Sequence, residues 1–467
     1  MKLNRRQFFR LTGAGSAGLA ATALTGCSEN KTAPVVPEIT GEKQGIPWRN
    51  WSGSQIAYPD KKLAPASSEA VQEIVAGSKG VIRAVGSGHS FPPLVPTEDT
   101  ILSLSRLSGV VSHDPENLTA VVRSGSRLGE MGQMLEERGQ ALINMPDIDK
   151  QSLAGAISTS THGTGSDYGS LSSYVTGLKI VRADGELVEC SKEKNRLLFD
   201  AARVSLGSLG IITEIEIQNQ QPFRLQNESW AEPIEDMLDK AAALQNDYRN
   251  FEFYYIPHTG YGIGYGNRDT NDTTVVRQPD TSNEDVETLK MVNEYLGWSR
   301  KLQKTAISAF MPGPEKVVSR DVSWKMYSAQ RNVRFNEMEF HLDAEDGIDC
   351  LREIIKLVDS DAQNIWFPIE FRYVKQDDIW LSPFYKRDTC SIAIHQYYKD
   401  DYHKLHKAAQ EIFLRYNGRP HWGKNHYLKV DSFKEMYPMW EQFQEVRLAM
   451  DPEGKFLNEH LKAVMLG

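Results

Sequence analysis

Val85-Gly86-Ser87-Gly88-His89-Ser90-Phe91-Pro92-Pro93 is the stretch on which the reading of this chain turns. It follows Val81 to Val85, a short apolar run with strand character. Consecutive small residues leave backbone N–H groups free to approach a pyrophosphate closely. A doubly wound dinucleotide fold would open a glycine-bearing helix directly after them, and Pro92 and Pro93 stand there instead. Two readings remain: a phosphate-contacting turn outside a doubly wound sheet, or a plain turn after a strand.

Around this turn, from about residue 46 to 217, short strands alternate with helices. Ser67-Ser68-Glu69 reads as a helix start, with Val71, Ile74 and Val75 along one face. Ala120 to Arg123 reads as a strand, and Leu128, Met131 and Leu135 space a helix that stops at Gly139. Lys179 to Ala183 and Glu186 to Glu189 flank Asp184-Gly185, a hairpin signal. Ile211 to Ile217 reads as a strand with Glu214 and Glu216 outward. Hairpins and few long helices argue for an α+β fold.

From about Pro222 long aromatic-rich strands take over: Phe251 to Ile256, Phe335 to Leu342, Phe367 to Val374 and Cys390 to Tyr398. Between them the spacing of Ile348, Leu351, Ile355 and Val358 predicts an amphipathic helix. A second domain follows from this, an antiparallel sheet with helices on one side. The expected division is a signal over 1–26, a tether over 27–45, a first domain over 46–220, a second over 221–410, and a segment over 411–467 that returns to the first.

The N-terminal stretch stands outside the fold. Asn4-Arg5-Arg6-Gln7-Phe8-Phe9-Arg10 pairs arginines with aromatics, and Leu11 to Gly26 is a mild apolar run too short to span a membrane. Leu24-Thr25-Gly26-Cys27 then puts small residues before a cysteine. In that order these features read as a twin-arginine export signal with Cys27 as a lipid anchor. The expected location is the periplasm or cell envelope, with membrane contact through lipidated Cys27. Removing residues 1–26 removes Lys2, Arg5, Arg6 and Arg10 and no acid, which takes the net charge from -9 to -13. So acidic a surface repels phosphate backbones, and nucleic acid is not an expected partner. Cys190, Cys350 and Cys390 remain, an odd number without paired spacing, which argues against a disulfide framework. Export in the folded form hints at a cofactor inserted beforehand.

Three further constellations carry chemistry. Ser158-Thr159-Ser160-Thr161-His162-Gly163-Thr164-Gly165-Ser166 is a run of small or polar residues, unsuited to a core and rich in short-range donors. It lacks the Gly-Lys-Ser/Thr ending of a P-loop. On the 367–374 strand, period-2 alternation puts Glu370 and Arg372 on one face and Phe371 on the other. Such a pair is either an exposed ion pair worth little, or a device that holds a substrate hydroxyl and steadies a developing anion. Arg419-Pro420-His421-Trp422-Gly423-Lys424-Asn425-His426 sets a candidate site cation among aromatics and histidines. His421 and His426, with His403 and His406 upstream, raise a zinc hydrolase, but no three of them have metal-ligand spacing and no metal is expected.

In their order and separation these stretches resemble the aldonolactone oxidase group (gulonolactone, arabinonolactone and alditol oxidases) of the vanillyl-alcohol oxidase-type flavoproteins. The resemblance runs from about Trp48 to the C-terminus. It passes through Gly86 to Ser90, Pro146-Asp147-Ile148-Asp149 leading to His162-Gly163-Thr164-Gly165, and Gly207 to Thr213. It continues through Glu370-Phe371-Arg372, Leu381-Ser382-Pro383 to Ile394-His395, and Arg419 to Lys424. It implies a two-part FAD-binding domain, a substrate domain, and FAD bonded covalently through His89. The cofactor contacts it implies are Gly86, Ser87, Gly88, His89, Ser90, Phe91, Asp147, Ser158, Thr161, Gly163, Thr164, Gly165, Gly210, Ile211, Ile212, His421 and Lys424. On the substrate side it implies Glu370, Arg372 and Lys424, with His395 beside them. The implied chemistry is hydride transfer from a carbinol carbon of a sugar lactone or alditol to flavin, with oxygen or another acceptor taking the electrons. Many relatives carry glycine before the Thr-His of the second motif. Ser160 stands there in this chain, and a side chain near the flavin is expected to restrict oxygen. The rival from another class is a non-catalytic sugar-binding lipoprotein, which explains the signal but neither the Gly/Ser/Thr loops nor His89.

Overall fold

The computed structural model describes residues 46–310, 313–329, 331–360 and 365–467. The expected signal, tether and Cys27 lie outside the described residues.

Strands β1 (Lys61–Leu63), β2 (Ile82–Val85) and β3 (Thr100–Ser103) form a small parallel sheet in the order β1-β3-β2. Helix α1 (Ser68–Gly77) connects the first two; Ser67 caps it by accepting from the Ala70 amide, and Val71 and Val75 are buried. Strands β4 (Val110–Asp114), β5 (Thr119–Arg123), β6 (Val175–Val181), β7 (Leu187–Ser191) and β8 (Ile211–Gln218) form an antiparallel sheet ordered β4-β5-β8-β6-β7. The hairpin at Asp184-Gly185 joins β6 to β7, and Gly185 sits at φ +90°, where a side chain is strained. Helices α2 (Leu128–Glu136) and α3 (Leu153–Ser158) bury their apolar faces against this sheet.

The third sheet has eight antiparallel strands. They are β9 (Arg224–Pro233), β10 (Asn250–Ile256), β11 (Tyr261–Asp269), β12 (Val317–Val322), β13 (Phe335–Asp343), β14 (Ile369–Val374), β15 (Thr389–Tyr397) and β16 (Arg419–Pro420). Their order is β12-β9-β11-β10-β14-β15-β13-β16. Alternation assigns the faces. Phe251, Phe253, Phe371, Ile392, Met338 and Phe340 point to one side and are covered by helices α4 (Ile234–Asp247), α7 (Gly347–Val358) and α8 (His403–Arg415). Helices α5 (Ser282–Leu296) and α6 (Arg300–Phe310) form a separate hairpin between β11 and β12.

The chain then comes back. Helices α9 (Val430–Met436), α10 (Trp440–Met450) and α11 (Glu459–Met465) place Phe433, Trp440, Phe443 and Leu461 in one core with Leu128, Leu153 and Ile215 of the first half. The architecture is α+β, as the hairpin signals predict. Cys190, Cys350 and Cys390 are free and buried.

Candidate functional site: a glycine-lined cleft against a buried charged sheet face

A cleft of about 1100 Å³, its open mouth included, runs between the turn after β2, the start of α3 and the turn before β8. Of the expected cofactor contacts, Gly86, Ser87, Gly88, His89, Ser90, Ser158, Thr161, Gly210, Ile212, His421 and Lys424 line it. Sequence reasoning missed Gln151, Ser152, Gly155, Leu206 and Gly207, which line it too. The available signal was Gly155 inside the short Leu153–Ser158 helix, a residue that helices otherwise disfavour.

The lining fits an extended phosphate-bearing ligand such as FAD. At Gly86 a Cβ would fall 1.9 Å from Ser152 Oγ, so the backbone must stay bare there. Gln151 Oε1 is buried with no partner. His89 stacks on Trp51 with ring centroids 5.3 Å apart. Burial, with Lys424 and Arg127 nearby, pushes its imidazole down to about 4, so it is neutral at physiological pH.

The remaining expected contacts lie elsewhere. Gly163, Thr164 and Gly165 form the seam to the large sheet: the Gly165 amide donates to Tyr373 O at 2.8 Å and the Thr164 hydroxyl to Phe251 O. A Cβ at Gly163 would meet Met145 O at 2.2 Å. Ile211 belongs to a hydrophobic core, and Phe91 lies under the Lys424 ammonium at 5.3 Å. Asp147 pairs with Arg331 at 3.4 Å and Arg372 at 3.7 Å. Ser160 is fully buried at φ +61° with its hydroxyl 3.3 Å from Ser382 Oγ. Its side chain does not line the cleft, so the expected restriction of oxygen finds no support in its position. The positive φ accounts for glycine being favoured there.

Beyond Lys424 the cleft meets the face of the large sheet opposite the helices, and that face is charged and buried. Register sets Glu370 and Arg372 of β14 beside Tyr254 and Glu252 of β10, and Glu337 of β13 beside His395 of β15. Arg372 bonds Glu370 at 2.6 Å and Glu339 at 3.3 Å. Both members of the Glu-x-Arg pair are buried. The surface reading of that pair is therefore excluded. Lys424 bonds Glu337 and lies 3.9 Å from Glu339. Glu339 also takes hydrogen bonds from Ser391 and, at 3.0 Å, from His162 Nε2. His395 Nδ1 meets Pro368 O at 3.0 Å, and its Nε2 faces Glu337 at 3.5 Å. Tyr254 donates to Glu370.

The charges hold one another. Burial opposes ionisation of Glu339, yet Arg372 and His162 keep its carboxyl well below the usual range. Burial likewise opposes the Arg372 charge, and Glu370 and Glu339 raise it well above its ordinary value. Lys424 is raised by Glu337 and Glu339 against the same penalty. Burial and the neighbouring Glu370 push the Glu252 carboxyl up to about 8. Two groups among the described residues have metal-ligand geometry: His162 with Glu339 and His341, and Glu337 with Glu370 and His395. None of His403, His406, His421 or His426 belongs to either, and Arg372 or Lys424 already neutralises the carboxylates of both.

Residues 59–191 match the FAD binding domain family, and residues 215–464 match the D-arabinono-1,4-lactone oxidase family. The L-gulono-1,4-lactone dehydrogenase of Mycobacterium tuberculosis is 32% identical over 433 residues, covering 90% of this chain and 99% of that protein. The L-gulonolactone oxidase of Bos taurus is 27% identical over 444 residues, covering 90% and 98%. The alditol oxidase of a Streptomyces species is 27% identical over 435 residues, covering 90% and 99%. Among solved structures, a solvent-stable cholesterol oxidase matches with a TM-score of 0.75 at 18% identity, covering 90% of this chain and 97% of that one. That last likeness is one of fold alone.

Proposed function

This chain belongs to the D-arabinono-1,4-lactone oxidase family, and from that premise we propose that it is an FAD-dependent oxidoreductase acting on a CH–OH group of a sugar 1,4-lactone or an alditol. The observation that carries the reading is the pair of cations, buried Arg372 and half-buried Lys424, each fixed by carboxylates of one sheet face at the inner end of the cleft. Gly86 to Ser90, Ser158, Thr161, Gly210 and Ile212 are the residues that would hold FAD. Bound FAD supplies the acceptor for the substrate hydride.

The protein's own work concerns the hydroxyl. A neutral polyol or lactone offers hydroxyls and no charge, which suits Glu370 as acceptor and Arg372 as donor. As the hydroxyl proton leaves, negative charge develops on the substrate oxygen, and Lys424 Nζ and Arg372 stabilise it. The His395 Nδ1–H donates to Pro368 O, which leaves a lone pair on Nε2 facing the site; that nitrogen takes the proton. The products are a carbonyl, one hydride transferred and one proton held on His395.

Anaerobic mixing with a panel of aldonolactones and alditols tests this. At least one member should bleach the flavin absorbance, and reoxidation under air or by a dye then separates oxidase from dehydrogenase. A purified protein without flavin sinks the proposal and favours the sugar-binding lipoprotein, and a bound flavin that no member bleaches sinks the assigned substrate class.

The neutral His89 imidazole in the cleft supports a covalent bond to the flavin, and residues 1–27 support export by the twin-arginine route with lipid anchorage at Cys27. One intact-mass measurement reads both. The expected species begins at an acylated Cys27 and carries the mass of FAD, which His89→Ala loses. A chain beginning at unmodified Met1 overturns the export reading, and FAD mass absent from the native protein overturns the covalent one.

A further inference from the structure

The α5–α6 hairpin has two unlike faces. Its inner face is occupied: Val286 and Leu289 pack on the aromatic cluster of Phe91, Phe335, Trp366 and Phe367 beside the site. Its turn is firmly built. Gln303, fully buried, donates to Asn293 Oδ1 at 3.3 Å, and the Gly297 and Ser299 amides close on Asn293 O and Leu296 O at 2.9 Å.

The outer edge is a different surface. Met291, Tyr295, Trp298 and Leu302 follow one another at spacings of four, three and four, and they are 38%, 74%, 78% and 44% exposed. Trp298 donates its indole N–H back to Tyr295 O at 3.0 Å, so its exposed ring presents apolar surface only. Arg300 and Lys301 follow in sequence, and Lys304, one turn on, is exposed, with its ammonium 3.6 Å from where a Cβ on Gly260 of the β10–β11 turn would lie. The only acid from Lys290 to Phe310 is Glu294, and Lys290 lies 3.8 Å from it. The whole chain nevertheless carries a net charge of -9.

An aromatic knob with cations around it, on an acidic protein, is complementary to the headgroup layer of an anionic bilayer. Tryptophan and tyrosine rings reside at that depth, and lysines gain there from the negative surface potential. We propose that the tip of the α5–α6 hairpin docks on an anionic lipid surface, seating Tyr295, Trp298 and Leu302 in the interface with Lys301 and Lys304 against the headgroups. The contact is independent of acylation at Cys27 and fixes which side of the described fold faces the membrane.

The test uses the flavin-loaded chain from Ser28 onward, which contains the whole described fold and lacks the leader and its anchor. It is floated with phosphatidylcholine vesicles, with and without phosphatidylglycerol. Flotation is expected only with phosphatidylglycerol and is reversed by salt. Each lysine near such a surface contributes about fivefold in partitioning, so Lys301→Glu with Lys304→Glu should lower it at least 25-fold. Trp298→Ser with Leu302→Ser should also abolish flotation, with flavin spectrum and turnover of soluble substrate unchanged. Absence of flotation on phosphatidylglycerol, or flotation that neither variant weakens, overturns the proposal. So does a dimer in sedimentation that Trp298→Ser converts to monomer, since that assigns the tip to a second copy of the chain.

Discussion

Lys424→Met is expected to slow flavin reduction by substrate about a hundred- to a thousandfold, or roughly 2.7–4 kcal/mol of transition-state stabilisation. Methionine keeps most of the unbranched side chain and removes the ammonium, with its contact over the Phe91 ring. In the native site the ammonium is locked by Glu337 and lies 3.9 Å from Glu339, so it needs no reorganisation when the substrate oxygen becomes negative. Before that moment the hydroxyl is neutral and gains little from a cation, and the Michaelis constant should therefore move by less than tenfold. Stopped-flow bleaching of the flavin reads the rate directly. Flavin loading must be checked first, because the substitution leaves Glu337 with His395 at 3.5 Å in place of a cation. A loaded variant that bleaches within tenfold of the native rate would remove Lys424 from the proposed machinery.

The largest loss of stability is expected at a residue that touches no substrate. Arg83, on β2, is buried, and its guanidinium donates to four backbone carbonyls. Leu94 O and Leu206 O lie at 2.8 Å, Gly207 O at 3.0 Å, and Phe456 O is the fourth. Burial lowers it to about 10, which still leaves it charged at neutral pH. Arg83→Met removes every donor and leaves those buried carbonyls without them, a cost of about 3–5 kcal/mol. The urea midpoint should fall while the slope of the transition stays constant. Flavin affinity should weaken in parallel, because Leu206 and Gly207 line the cleft. A loss below about 1 kcal/mol would mean that water reaches the carbonyls and that Arg83 is not the tie it resembles.

Local signals carried much of the fold. The hairpin at Asp184-Gly185, the helix through Ile348 and Leu351 and the shared face of Glu370 and Arg372 each depend on residues close in sequence, and each is visible in it. The small parallel sheet depends on pairing across intervening helix and turn, which leaves no periodic mark. The site was legible only in part for a related reason. Asn336-Glu337-Met338-Glu339-Phe340-His341 alternates as cleanly as the β14 strand, but charged residues at alternate positions read as a face in water. All of β13 except Asp343 is buried, because the His162 loop covers its charged side. No property of the strand itself announces that cover. Ser160 is a similar case: the motif shows a missing glycine, whereas the direction of its side chain is a matter of backbone angle.

The return of the last fifty residues to the first-half core also has a consequence for the order of events during synthesis. One wall of the cleft comes from residues 84–90 and another from His421, Gly423 and Lys424. Phe456 O receives Arg83, and Asn458 holds Pro93 O and Pro96 O at 2.8 and 2.9 Å. A chain still emerging from the ribosome has made its glycine turn long before the residues that close over it exist. The cleft is thus completed only once residues 421–458 have been made, and cofactor capture waits for them. A chain stopped after Lys455 would lack α11 and the contacts of Phe456 and Asn458, so flavin colour serves the cell, and the experimenter, as a sign that this closing segment is in place.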